Sequence, residues 1–127
     1  MSFPFDARAG AVIVLGEISG PKGPAFLRLL LDTGASNSLV SEDILLNVGY
    51  DPAVTADRIK VAMGNGVEVV PRVMVTRFTA LGVHRIGFRL LARNLPPEAG
   101  VDDLLGLDFL RGTLLTLDFR GGILSLT

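Results

Sequence analysis

Apolar residues come along this chain in short blocks separated by glycine, proline and charge. AVIVLGEI (11–18) and AFLRLLLD (25–32) flank the breaker cluster SGPKGP, which predicts two strands joined by a short loop. SEDILLNVG (41–49) changes the rhythm. Ser41 followed by two acids, an apolar pattern, then Gly49 and Pro52 predict one short helix with its N-cap at Ser41. RIKVAMGNGVEVVPRVMV (58–75) alternates moderately and carries Gly64-Asn65-Gly66 at its centre. That reads as a hairpin, because Asn-Gly favours the positive φ values of tight turns.

VMVTRFTA (73–80) and IGFRLLA (86–92) predict a further strand pair around LGVHR, with His84 on the surface in that turn. RNLPPEAG (93–100) is a loop by its prolines and glycine. VDDLLG then leads into LDFLRG, a second short helix ending at Gly112 and contributing mainly to the core. LLTLDF and ILSLT predict strands around Arg120-Gly121-Gly122. ILSLT reads as an uncovered apolar edge, which proteins usually pair or protect. Pairing with the same strand of a second chain, with MSFPF packed nearby, is the expected cover. With no linker, repeat or low-complexity tract, residues 1–127 predict one mostly-β domain.

Composition narrows the functions. Nearly half the residues are apolar (49%) and the net charge is −1, which fits a folded domain and excludes disorder. There is no basic excess to hold nucleic acid. The absence of cysteine removes disulfides and thiolate metal sites, and the single His84 cannot build a histidine zinc site. No apolar run approaches the ~20 residues that span a bilayer, and AVIVLG reads as a strand rather than a leader core. A soluble cytoplasmic protein without metal or cofactor is the expectation.

Against that background, LLLDTGASNSLVS (29–41) stands out, because it places Asp32 directly after three leucines. A carboxylate beside an apolar run is costly to bury unless its charge is used. Asp32 in an Asp-Thr-Gly turn serves equally as a local cap accepting backbone N–H groups. The acidic pairs Glu42-Asp43 and Asp102-Asp103 lack a recognisable metal-ligand spacing, and SGPKGP lacks the spacing of a phosphate loop. The remaining chemistry is acid–base catalysis by a carboxylate.

LLLDTGAS, followed some seventy residues later by DDLLGLDFL, resembles the retroviral-type aspartic proteases, the retropepsins. The resemblance runs from about Ala11 to the C-terminus. LGLDFLRGTLLTLDFRGGILSL is similar to the retropepsin domains of cellular DNA-damage-inducible proteins and of small bacterial relatives. It implies an all-β acid-protease barrel with one or two short helices, active as a twofold homodimer. Hydrolysis without a metal or a nucleophilic side chain needs a base to activate water and an acid to protonate the carbonyl oxygen. Two carboxylates sharing one proton supply both. The chain holds a single Asp-Thr-Gly, since Asp108 and Asp118 both continue as Asp-Phe, so the second aspartate would be Asp32 of another chain.

The resemblance also implies roles. Asp32 would be catalytic, Thr33 would bond across the dimer axis, and the Gly34 amide would donate to the carboxylates. Ala35 stands where pepsins carry a hydroxyl that bonds the charged carboxylate, so a mildly acidic optimum is expected. Ser36 and Asn37 would meet substrate backbone, and Leu104-Leu105-Gly106 would pack beneath the Asp32 loop. Met63-Gly64-Asn65-Gly66-Val67 would be a flap tip able to approach substrate main chain. Asp102 and Asp103 would lie near the cleft wall, either favouring basic substrate residues or forming a solvated loop pair. The implied activity is peptide hydrolysis on extended, largely apolar segments. Two other readings share the sequence: a silent peptide-binding or dimerisation module of the same fold, and a structural barrel in which Asp32 caps a turn.

Overall fold

The computed structural model describes all 127 residues. Ten strands and two short helices follow in chain order. They are β1 (Ser2–Pro4), β2 (Ile13–Gly20), β3 (Gly23–Leu31), β4 (Leu39–Val40) and α1 (Glu42–Val48). After these come β5 (Arg58–Met63), β6 (Gly66–Ala80), β7 (Val83–Ala92), β8 (Asp103–Leu105), α2 (Leu107–Leu110), β9 (Leu115–Asp118) and β10 (Ile123–Leu126). Seven strands lie in the order β2-β3-β8-β4-β7-β6-β5, and β2 also pairs with β6 from Gly16↔Ala80 to Ser19↔Arg77. That extra ladder closes six strands into a barrel and leaves β5 outside the ring, paired with β6 alone. Closure removes the free edges that an open sheet of this size would expose.

Alternation decides what fills the barrel. Ile18, Leu29, Val75, Phe78, Leu90, Phe109 and Leu124 are fully enclosed and belong to one apolar cluster. Phe78 stacks on Phe88 at 5.4 Å and meets Phe109 edge-on at 5.6 Å, so α2 is fixed to the β6–β7 ladder through aromatic contacts. α1 forms where its caps require it. Ser41 Oγ accepts from Ile44 N–H at 3.4 Å, and Gly49 ends the helix at φ 106°, which a side chain would strain.

Several elements differ from the sequence expectation. The two stretches centred on 58–75 and 73–80 share one 15-residue strand, β6. Its first half pairs with β5, where Pro71 opposes Arg58, and its second half pairs with β7 and β2. Proline interrupts the bonding pattern there without ending the strand. The hairpin tip is a two-residue turn at Gly64-Asn65, and the positive φ falls on Gly66 at 137° rather than on Asn65.

The next turn is only Leu81-Gly82, with φ 52° and 74°, so both central residues are left-handed, as in the turns that match strand twist. Leu81 accepts that conformation while its side chain is buried. His84 therefore lies in β7, exposed, with Nδ1 2.8 Å from Thr79 Oγ1. ILSLT is not an edge: β10 lies between β1 and β9 in a separate three-stranded sheet, with Phe3↔Leu124 and Leu124↔Leu117 in register. MSFPF and LLTLDF cover it from within the same chain, and the free edges of that sheet belong to β1 and β9.

Candidate active site

Asp32 stands at the end of β3, and the strands beside it fix where it sits. β3 and β8 run parallel from Leu29↔Asp103 to Leu31↔Leu105. The ladder gains one further bond past the strand end, because Asp32 N–H donates to Leu105 O at 2.9 Å. The chain then turns back. Ala35 N–H donates to Asp32 O at 3.2 Å, and Gly34 N–H donates to the Asp32 carboxylate at 2.9 Å. Leu107 N–H closes the far side of the loop on Ala35 O at 2.9 Å. Gly106 sits so close that an added Cβ would meet Ala35 O at 2.8 Å and Asn37 O at 2.9 Å, so any side chain would force the two segments apart.

Ser38 and Asp108 lie beneath this loop, and the sequence reading gave neither a role. Ser38 is fully buried. Its Oγ accepts from Gly106 N–H at 2.9 Å and donates to Asp108 Oδ1 at 2.7 Å. Ser38 N–H donates to both Asp108 oxygens at 2.9 and 3.0 Å, and Phe109 N–H donates to Oδ1 at 2.8 Å. The Asp108 carboxylate thus ties α2 to the chain following Asp32. The available signal was an acid inside an apolar helix, the same oddity that drew attention to Asp32.

A cavity of about 510 Å³ opens in front of Asp32. Gly34, Ala35, Ser36 and Asn37 line it on the loop side, and Met63 and Gly64 on the hairpin side. Its apolar wall is Leu39, Val61, Leu91 and Leu104, brought together because Leu39 pairs with both Leu91 and Leu104. Leu39, Val61 and Leu91 were not singled out in the sequence, although each sits in a strand-sized apolar block. Thr33 and Gly34 are exposed at the tip of the loop. Asn65, Gly66 and Val67 are exposed too, and lie beyond the cavity lining. Leu105 is buried behind it.

Two bidentate ion pairs hold the hairpin. Asp57 takes Arg72 Nε at 2.8 Å and Nη2 at 3.1 Å near its base. Glu68 takes Arg93 Nε at 2.7 Å and Nη2 at 3.0 Å nearer the tip. Arg93 N–H also donates to Val40 O at 3.1 Å, so the second pair links the hairpin to the strand that follows the Asp32 loop. Hydrogen bonding to the arginines holds both carboxyls below the usual carboxylate range.

Asp102 and Asp103 do not line the Asp32 cavity. Asp102 is exposed, while Asp103 is 3% exposed within β8, so the two do not form a solvated pair. The Asp103 carboxylate accepts from Ser41 N–H at 3.0 Å, beneath the start of α1. Burial pushes its pKa up to about 6, against the opposing pull of the Ser41 amide and with a small push from Asp102.

The sign of the linkage follows from that direction. A carboxyl with a raised folded pKa favours the fold when protonated, so the Asp103 contribution is greatest below about pH 4 and declines as pH rises through 6. Asp103→Asn keeps an acceptor for Ser41 N–H and removes the charge. It should stabilise the protein by about 3 kcal/mol at pH 7.5 and by close to nothing at pH 4. Urea unfolding at the two pH values checks this, and an equal effect at both would refute it.

The structure gathers no group of three or more carboxylates or imidazoles able to hold a metal ion. What it presents is one aspartate, fixed by a backbone amide, in a cleft with an apolar wall and a hairpin on its far side. Residues 16–112 match the family described as "gag-polyprotein putative aspartyl protease". The chain belongs to this family of aspartyl proteases. No curated protein matches it. Among solved structures it is similar to a retropepsin-like aspartic protease from Rickettsia conorii, with a TM-score of 0.73 and 15% identity. That likeness covers 99% of this chain and 89% of the other, and it establishes a retropepsin-like fold. Within that fold the Asp-Thr-Gly loop, the β5–β6 hairpin and the Leu-Leu-Gly strand end converge on a single cavity.

Proposed function

We propose that this chain is one half of a homodimeric aspartic endopeptidase, with Asp32 from each of two chains forming the catalytic pair. The observation that carries the reading is the Asp32 loop: its carboxylate is fixed by the Gly34 amide while Thr33 and Gly34 remain exposed at the tip. A lone carboxylate cannot act as base and acid in the same step. Two brought within ~3 Å cannot both ionise, and so share one proton. The charged member takes a proton from water as the oxygen bonds to the peptide carbonyl carbon, and the protonated member gives its proton to the carbonyl oxygen. Collapse of the resulting diol breaks the C–N bond, with one carboxyl passing its proton to the leaving amine while the other carboxylate takes a proton back from a diol hydroxyl.

Substrate fits as an extended strand between the loop and the hairpin, with apolar side chains against Leu39, Val61, Leu91 and Leu104. The free edges of β1 and β9 and the Thr33-Gly34 tip are the surfaces offered to the second chain. The test is cleavage of a mixed peptide library between about pH 4 and 7 by protein whose mass is followed by light scattering. Cleavage by the dimer with a mildly acidic optimum is expected. A strictly monomeric protein that still cleaves would overturn the paired mechanism. A dimer that cleaves nothing would leave a peptide-binding module.

A further inference from the structure

The charges around the cleft point to a class of substrate. In the wall of the Asp32 cavity the only charged side chain besides Asp32 is Lys60. Asn37 stands in that wall and also in a second cavity of about 610 Å³, which continues along β7. Arg72, Arg85 and Arg89 line the second cavity, and Asp108 is its only carboxylate.

Sorting these by partner leaves an excess of positive charge. Asp108 is committed to Ser38 and Phe109, and Arg72 to Asp57. Arg85 Nη2 donates to Phe109 O at 2.6 Å, but its buried Nε has no partner and no carboxylate neutralises it. Lys60 and Arg89 are exposed and form no ion pair. Three cations without an ion-pair partner thus line the cleft and its extension, against Asp32 and the Asp108 carboxylate, whose hydrogen bonds come from neutral groups. Asp57 is near enough to feel the charge of Arg89. Asp102 and Asp103, the acids expected near the cleft wall, line neither cavity.

We propose that Lys60 and Arg89 are specificity-determining residues that select extended segments carrying acidic side chains on the flanks of an apolar cleavage site, with Arg85 adding to the field. This rests on the proteolytic reading above. Twofold symmetry repeats Lys60 and Arg89 across the dimer axis, so the preference should occur on both sides of the scissile bond. Charges at the rim of a binding surface act through salt-screened attraction, which fixes the signature to look for.

The experiment is cleavage of a randomised peptide library by wild type, Lys60→Glu and Arg89→Glu at low and high salt. Wild type should enrich Asp and Glu at flanking positions on both sides. A selected peptide should outperform its Glu→Gln counterpart about fivefold per charge at low salt, with the ratio collapsing near 1 M salt. Each charge reversal should turn the flanking preference from acidic toward basic. Cleavage with a flat or basic flanking profile, or reversals that leave the profile unchanged, would overturn the proposal while leaving the protease reading intact. If wild type cleaves nothing, the protease reading fails on its own. Fluorescence anisotropy of a labelled Glu-flanked apolar peptide and its Gln counterpart then decides the specificity: tighter, salt-sensitive binding of the acidic form supports it, and equal binding refutes it.

Discussion

At fixed total protein, an equal mixture of wild type and Asp32→Asn, allowed to exchange chains, is expected to retain about a quarter of wild-type activity. The variant alone should lose activity by about a thousandfold or more, because an amide can neither take the proton from water nor return one to the carbonyl oxygen. Its carbonyl oxygen can still accept from Gly34 N–H, the bond that now holds the carboxylate at 2.9 Å, so the loop should keep its shape. If each active unit needs two aspartates, activity follows the square of the wild-type fraction. A chain that works by itself would instead retain half. The mixture, unlike the single variant, separates a shared dyad from an isolated carboxylate, and a linear decline across several ratios would sink the dimeric mechanism. The chains should be mixed dilute and then concentrated, with exchange confirmed by tagging one partner.

Much of this arrangement was legible in the sequence, because local signals and tertiary demands agree there. Ser41 and Gly49 bound α1 as expected, since side-chain capping and left-handed glycine are properties of a few neighbouring residues. Asp32 announced itself by the mismatch between its charge and the leucines before it. The failures share a different cause: each depended on which segment lies alongside. The strand ILSLT reads as an edge on its own, and it becomes a centre only when MSFPF and LLTLDF flank it. Asp103 looks like a solvated loop acid until β8 inserts between β3 and β4 and buries it. Ser38 and Asp108 are separated by 70 positions, so no local pattern could join them. The same holds for the cleft charges, whose balance depends on Asp57 pairing directly with Arg72 while Arg89 is left without an ion-pair partner.

Asp108→Ala should destabilise the fold by about 3–5 kcal/mol. The carboxylate is the acceptor for Ser38 N–H, Ser38 Oγ–H and Phe109 N–H, and Ser38 is completely enclosed. Truncation removes the acceptor of three donors at once, which costs more than the net worth of a bond whose two partners are both removed. The damage would pass directly to the candidate site. Ser38 Oγ also accepts from Gly106 N–H, and Gly106 in turn sits against Ala35 and Asn37. Releasing Ser38 loosens the support on which the Asp32 loop rests, so activity should fall along with stability.

Asp108→Asn retains one oxygen for Ser38 and should cost markedly less, about 1–2 kcal/mol. Urea unfolding of the two variants beside wild type reads the difference. Should Asp108→Ala cost under about 1 kcal/mol, the buried network would not be what fixes α2 to the loop. The aromatic contacts of Phe109 with Phe78 and Phe88 would then be its main anchor.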